Sequence, residues 1–170
     1  MKDKLLVVID MQNDFIDGAL GTAEAQEIVP DVCEKIEEFD GEVVFTMDTH
    51  TELYPETQEG RKLPVPHCIK GTDGWKLNAE IEELAKDCKI FEKPTFGSIE
   101  LAEYVADGDY KYVELIGVCT DICVVSNAML IKAYVPEVPV IVDSFCCAGV
   151  TVESHLKALD VMRSCQIDVL

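Results

Sequence analysis

Three reactive side chains follow three separate apolar runs of this sequence: Asp10 after Leu5 to Ile9, Lys93 after Cys88 to Phe91, and Cys123 just beyond Tyr112 to Val118. If those runs are parallel strands, their carboxyl ends lie side by side, and an acid, an amine and a thiol meet in one crevice. Cys123 falls in Gly117-Val118-Cys119-Thr120-Asp121-Ile122-Cys123-Val124, where strand passes into helix, so its sulfur is expected in the first helical turn. There the unpaired backbone N–H groups and the positive end of the macrodipole favour a thiolate, and a neighbouring ammonium favours it further. The same N–H groups can receive an oxyanion. A single Cys is more often a small packing residue; an acid and an amine at matching strand ends point instead to nucleophilic catalysis.

A second constellation is Asp48-Thr49-His50 with His67 further on. Residues two apart in an extended segment point to the same side, so Asp48 and His50 can reach one ion while His67 closes on it from the far end of the intervening loop. Two imidazoles and a carboxylate suit Zn, Fe or Mn better than Ca or Mg, and the positions they leave open suit catalysis better than a structural role.

The elements that must position these groups alternate regularly. Apolar, β-branched runs at Leu5 to Ile9, Val43 to Met47, Cys88 to Phe91, Tyr112 to Val118, Val138 to Val142 and, more weakly, Gln166 to Leu170 read as six strands. Between them, Thr22 to Phe39, Leu77 to Ala85, Ser98 to Val105, Asp121 to Ala133 and Val152 to Cys165 carry helical period. Strands apolar on both faces and joined by helices predict a three-layer α/β/α domain with a six-stranded, mainly parallel sheet of Rossmann-like architecture, in a single domain over 1–170. Thr49 to Trp75 breaks the alternation, holding three of the seven prolines, three of the ten glycines and two of the three histidines. It reads as one long loop leaving the second strand over the ligand crevice, and loops of that length are usually functional.

Composition narrows the function classes. Fourteen basic against thirty-three acidic residues give a net charge of -19 over 170 residues, spread along the chain, which disfavours nucleic acid and anionic membranes as partners. With 48% hydrophobic residues the chain is too apolar for a disordered acidic solvator. No apolar run is long enough to span a bilayer, and Met1 to Asp10 lacks a signal peptide's apolar stretch and cleavage site, so a cytoplasmic protein with reduced thiols is expected despite eight cysteines. Cys146 and Cys147 are adjacent and should face opposite sides of an extended segment; His155 stands away from the strand ends and is assigned a structural role. A thiol-based metal or redox module using Cys119, Cys123, Cys146 and Cys147 is the alternative from a different class, but no Cys-x-x-Cys occurs. Nor does a Gly-rich dinucleotide turn or a phosphate loop follow any expected strand.

Taken together, Leu6-Val7-Val8-Ile9-Asp10-Met11-Gln12-Asn13-Asp14-Phe15, Asp48-Thr49-His50, Leu63-Pro64-Val65-Pro66-His67-Cys68-Ile69-Lys70-Gly71-Thr72, Lys93 and Gly117 to Val124 resemble the isochorismatase-like cysteine hydrolases, and within them the metal-containing nicotinamidases. Asp143-Ser144-Phe145-Cys146-Cys147-Ala148-Gly149 and Glu153-Ser154-His155 are similar to the family's closing strand and helix start. The resemblance covers nearly the whole chain. It implies a metal-dependent amidohydrolase with nicotinamide the favoured substrate, another small amide or carbamoyl compound being the alternative. It further implies Asp10 as general base and acid, Lys93 as stabiliser of the thiolate, Cys123 as nucleophile forming a thioester, and the backbone N–H groups of Cys119 and Cys123 as oxyanion hole, with a cis bond between Val118 and Cys119. One divalent ion, zinc before iron or manganese, is implied on Asp48, His50 and His67, with Glu59 the candidate fourth ligand and Glu56 behind it. Phe15 matches an aromatic wall of the ring pocket. Where some relatives carry a Trp shortly before the third metal ligand, this chain has Leu63-Pro64-Val65-Pro66, which leaves Trp75 either to replace that wall or to anchor the loop. Family habit suggests a homo-oligomer, dimer or tetramer.

Overall fold

In a computed structural model describing residues 3–170, the alternation of runs becomes a single sheet with helices on both faces. β1 (Lys4–Ile9) leads through α1 (Asn13–Ile16), α2 (Ala23–Glu27) and α3 (Val29–Glu38) to β2 (Glu42–Asp48). Then follow α4 (Gln58–Lys62), α5 (Ala79–Leu84), β3 (Lys89–Lys93), α6 (Ile99–Asp107), β4 (Tyr112–Val118), α7 (Val125–Tyr134), β5 (Val140–Ala148), α8 (Val152–Ser164) and the short β6 (Asp168–Val169). Strand order is β3-β2-β1-β4-β5-β6 and every pair is parallel. The order reverses between β1 and β4, so the crevice for a ligand opens beyond the carboxyl ends of those two strands.

β1 shows why its sequence is apolar on both sides. Leu5, Val7 and Ile9 face a core shared with α6, α7 and α8, while Leu6 and Val8 face a second core shared with α3 and α5, and all five are fully buried. Cys147 belongs to the first core and Cys146 to the second, on opposite sides of β5 as their adjacency requires. At the crevice β4 passes very close to β1: a Cβ on Gly117 would stand 2.1 Å from the carbonyl oxygen of Ile9, and its φ of +115° favours glycine as well.

Several expected boundaries move. The helical stretch Thr22 to Phe39 divides into α2 and α3, because Pro30 in the first turn of α3 has no N–H to continue the ladder. The expected helix from Asp121 begins instead as a π-helical turn over Thr120–Val124 before α7. β5 runs on through Ala148, beyond the expected end at Val142, with a register shift against β4 between Leu115 and Gly117. The connection 49–75 is not one structureless loop: it holds a 3-10 turn over Tyr54–Glu56 and α4. Thr57 caps α4, accepting from the Gly60 N–H at 2.9 Å. No helix among the described residues is long and apolar enough to cross a membrane.

Candidate active site

Asp10, Lys93 and Cys123 come together at the crevice. Asp10 follows β1 in the left-handed region (φ +46°), a conformation Asp tolerates, and this turns its carboxylate inward. Lys93 ends β3 beside Asp48 at the end of β2, and its ammonium reaches Asp10 Oδ2 at 2.6 Å and Cys123 Sγ at 3.4 Å. A third bond to the Thr95 carbonyl (3.1 Å) leaves the buried cation well partnered. Cys123 projects from the π-helical turn, hydrogen-bonded to Asp10. The Val118–Cys119 peptide bond is cis.

Electrostatics revises one expectation. Burial and the Asp10 carboxylate push the Cys123 thiol well above its ordinary value, against the opposing pull of Lys93. Burial also raises the Asp10 carboxyl, against the opposing pull of Lys93, while Lys93 itself is raised because the negative groups around it overcome its own desolvation. A carboxyl raised by burial beside a buried thiol is an arrangement through which a proton can pass between the two.

Two partners of this triad carry a quieter signal. Thr46 Oγ1 donates to Asp10 Oδ1 at 2.6 Å from the middle of β2. Asn127, fully buried on α7, donates to the carbonyls of Cys123 (2.8 Å) and Phe96 (3.0 Å) and accepts from the Ser98 N–H (2.9 Å), tying the turn that carries Cys123 to the β3–α6 loop. Both are polar residues inside otherwise apolar periodic runs, and that is where a sequence reading could have found them.

Asp48, His50, Glu59 and His67 form the second cluster, with one donor atom from each within 4.8 Å of all the others. His50 Nε2 lies 2.8 Å from Asp48 Oδ2 and 3.7 Å from Glu59 Oε1; His67 Nε2 lies 3.4 Å and 3.6 Å from the same oxygens. Donors about 2.0–2.1 Å from a tetrahedral zinc stand roughly 3.3 Å apart, a value that these four separations bracket. His67 Nδ1 donates to the Val65 carbonyl at 2.8 Å, which leaves Nε2 free to ligate when the ring is neutral. Burial works against ionised Asp48, but hydrogen bonds to His50 and His67 hold its carboxyl down at about 2.

Glu59 reaches the cluster because α4 presses on the preceding turn: a Cβ on Gly60 would stand 1.9 Å from the Tyr54 carbonyl oxygen. The buried Tyr54 ring packs edge-on against both imidazoles, at 4.9 Å from His50 and 5.0 Å from His67. Glu56 belongs to the 3-10 turn and is exposed, outside the cluster. Gln12 holds the other side, donating to the Asp48 and Trp75 carbonyls at 2.8 Å each and accepting from the Asp48 N–H at 2.7 Å.

Both clusters border one small chamber of about 50 Å³. Cys119, Ile122 and Cys123 line it together with Asp48, Glu59 and His67, and Phe15, Leu20, Leu63 and Phe96 supply apolar walls. The Phe15 ring lies 5.5 Å from the His67 ring. Trp75 is not among the lining residues: its indole N–H donates to Thr49 Oγ1 at 2.9 Å, so it anchors the loop. His155 also lies outside, hydrogen-bonded to Thr120 Oγ1 at 2.7 Å. Among the described residues the metal-capable cluster is the Asp/His/Glu/His set, and none of the eight cysteines belongs to it or forms a disulfide.

A six-stranded parallel sheet in this order, with a thiol, an amine and an acid at its crevice, is an α/β enzyme architecture, and the chain belongs to the isochorismatase family, whose domain pattern matches residues 4–170. A Bacillus subtilis (strain 168) relative, the uncharacterized isochorismatase family protein PncA, is 33% identical over 176 residues, covering 92% of each chain. Among solved structures, the pyrazinamidase of Pyrococcus horikoshii in complex with zinc is 29% identical over 99% of this chain and 98% of its own, with TM-score 0.86. The nicotinamidase PncA from Bacillus subtilis is 28% identical over 99% of both chains, with TM-score 0.81.

Proposed function

We propose that this protein is a metal-dependent nicotinamidase, hydrolysing nicotinamide to nicotinate and ammonia through a thioester on Cys123. The observation that carries the reading is the single chamber that joins the Asp10–Lys93–Cys123 triad to the Asp48–His50–Glu59–His67 cluster. Both the solved pyrazinamidase and the solved nicotinamidase named above support it.

Asp10 takes the Cys123 proton as the sulfur attacks the amide carbon, with the Lys93 ammonium compensating the negative charge shared by sulfur and carboxylate. The backbone N–H groups of Cys119 and Cys123 receive the oxyanion. On collapse, Asp10 returns the proton to the departing ammonia, leaving the acyl group on sulfur. Water then loses a proton to Asp10 and attacks the thioester; release of the acid hands that proton back to Cys123. A divalent ion held by Asp48, His50, His67 and Glu59, zinc in preference to iron or manganese, supplies Lewis-acid anchoring of a ring nitrogen. Phe15 walls the ring, and the carboxamide then lies over Cys123.

The deciding experiment measures ammonia release from nicotinamide and a panel of other primary amides by the metal-loaded enzyme, the chelated enzyme and Cys123→Ala. Turnover of nicotinamide lost in both treated forms is expected. Cys123-dependent cleavage of a different amide alone would overturn the substrate, and nicotinamide turnover that survives Cys123→Ala would overturn the mechanism.

A further inference from the structure

Outside the reaction chamber lies a second, larger cavity of about 460 Å³, open to solvent. The two share Glu59, Leu63, Phe96 and Ile122, which wall both, so they adjoin. Each apolar residue of that shared wall comes from a segment that carries the candidate chemistry: Leu63 closes α4 beyond Glu59, Phe96 lies three residues past Lys93, and Ile122 precedes Cys123. Leu63 and Phe96 are 39% and 40% exposed, large apolar surfaces turned toward an opening instead of a core. Beyond them the lining becomes polar with Gln58, Lys62 and Thr95, and among the described residues Lys62 is the single cation lining either cavity.

We infer that this vestibule is an outer substrate subsite, which takes the substituent of aromatic primary amides longer than one ring: an apolar arm crossing Leu63, Phe96 and Ile122 and ending in an anionic or hydrogen-bonding group near Lys62. The inference rests on the proposed amide-hydrolase reading of the inner chamber. A single-ring amide seated over Cys123 would leave the space beyond that shared wall unused. A substituent that reaches into it covers exposed Leu63 and Phe96 surface, at roughly 25 cal/mol per Å² of apolar area removed from water. In a chain of net charge -19, Lys62 gives this mouth a local preference for an anionic end group over the repulsion of the remaining surface.

The test compares nicotinamide with nicotinamides bearing, at ring carbon 2, 5 or 6, a short alkyl arm ending in carboxylate or hydroxyl, using the whole metal-loaded enzyme. At least one armed amide should have a KM no higher than that of nicotinamide. Lys62→Glu should raise KM for the carboxylate arm about tenfold, and Gln58→Trp, which fills the vestibule from the first turn of α4, should do so for both arms, with nicotinamide moving less than about twofold. Armed amides cleaved more than about a hundredfold less efficiently than nicotinamide, or variants that shift all substrates alike, would overturn the subsite while leaving the nicotinamidase reading intact. Armed amides cleaved with nicotinamide inert would sustain the subsite and sink that reading. If nothing is cleaved, calorimetric binding of the armed amides to Cys123→Ala decides: affinity lowered by Gln58→Trp sustains the subsite, and indifference to it overturns the proposal.

Discussion

Replacing Thr46 by Val isolates the group that tunes the proposed base. The swap keeps the β-branched shape in a strand where Thr46 is fully buried, so packing is nearly conserved. What is lost is the hydroxyl 2.6 Å from Asp10 Oδ1; the ion pair of Oδ2 with Lys93 remains. A hydrogen bond to a charged acceptor contributes about 1.5–3 kcal/mol against about 0.5–1.5 for a neutral one, so the hydroxyl favours ionised over protonated Asp10 by roughly 1–1.5 kcal/mol. At about 1.36 kcal/mol per pH unit, its loss moves the acid limb of the kcat/KM profile upward by about one unit. The sign follows from Asp10 having to be ionised to accept the thiol proton, and burial already holds its carboxyl above the ordinary value. Thr46→Val should therefore lose activity about tenfold on the acid side and converge with wild type on the plateau, while Thr46→Ser keeps the original limb. Steady-state rates of ammonia release across pH measure this. A uniform loss at every pH, or a limb displaced downward, would refute Thr46 as the tuning partner of the base.

The remaining predictions concern the cage and its supports. Gly60→Ala forces α4 off the Tyr54 carbonyl and takes Glu59 with it, so zinc affinity measured by chelator competition should fall about 10–100-fold, with a stability loss of about 1–3 kcal/mol. The melting-temperature gap between metal-loaded and chelated protein should widen as pH rises. Burial opposes charged His67, but its bond to Asp48 and nearby carboxylates raise it above the ordinary value. In the chelated form that contribution is full below the unfolded histidine value and is lost as pH rises through the folded one, whereas the ion competes with protons and gains. A gap that narrows with pH would count against the cage. His155→Phe strands the buried Thr120 hydroxyl at a cost of about 1–3 kcal/mol, and adding Thr120→Val should recover part of it in urea unfolding; strictly additive losses would show that the bond couples nothing.

The layers and the parallel sheet were legible because Leu5 to Ile9 of β1 are apolar on both faces, as a strand covered by helices on both sides requires, whereas the buried Glu114 of β4 is accommodated by Lys35 at 2.6 Å, a pairing no periodicity announces. The meeting of Asp10, Lys93 and Cys123 was legible for the same reason, since parallel strands align their carboxyl ends. Periodicity could not reveal that Pro30 would divide a helix, or that the chain after Cys119 would enter a π-helical turn, because both are decided by backbone hydrogen bonding within one turn. Trp75 could have served either as pocket wall or as anchor, and only its N–H donation to Thr49 separates the two. The thiolate expected at Cys123 came from weighing a helix terminus and a cation; the burial and the adjacent carboxylate that push the thiol the other way exist only in three dimensions.

The division of labour between two aspartates depends on the same three-dimensional information. Asp10 and Asp48 both lie near the Lys93 ammonium, at 2.6 Å and 3.8 Å, and both are almost entirely buried, so neither the shared cation nor depth distinguishes them. Their other neighbours do. Asp48 receives bonds from two imidazoles and is held at about 2, ionised throughout the working range and suited to holding a cation. Asp10 faces a thiol and a single hydroxyl, its burial is less fully offset, and its carboxyl rises, which suits a group that must take up and return a proton twice in each cycle. Environments that drive two like acids in opposite directions mark an acid–base partner and a fixed charge. Exchanging those environments by substitution at Thr46 or His67 should therefore alter the proton chemistry in the first case and the metal affinity in the second, with little crossover.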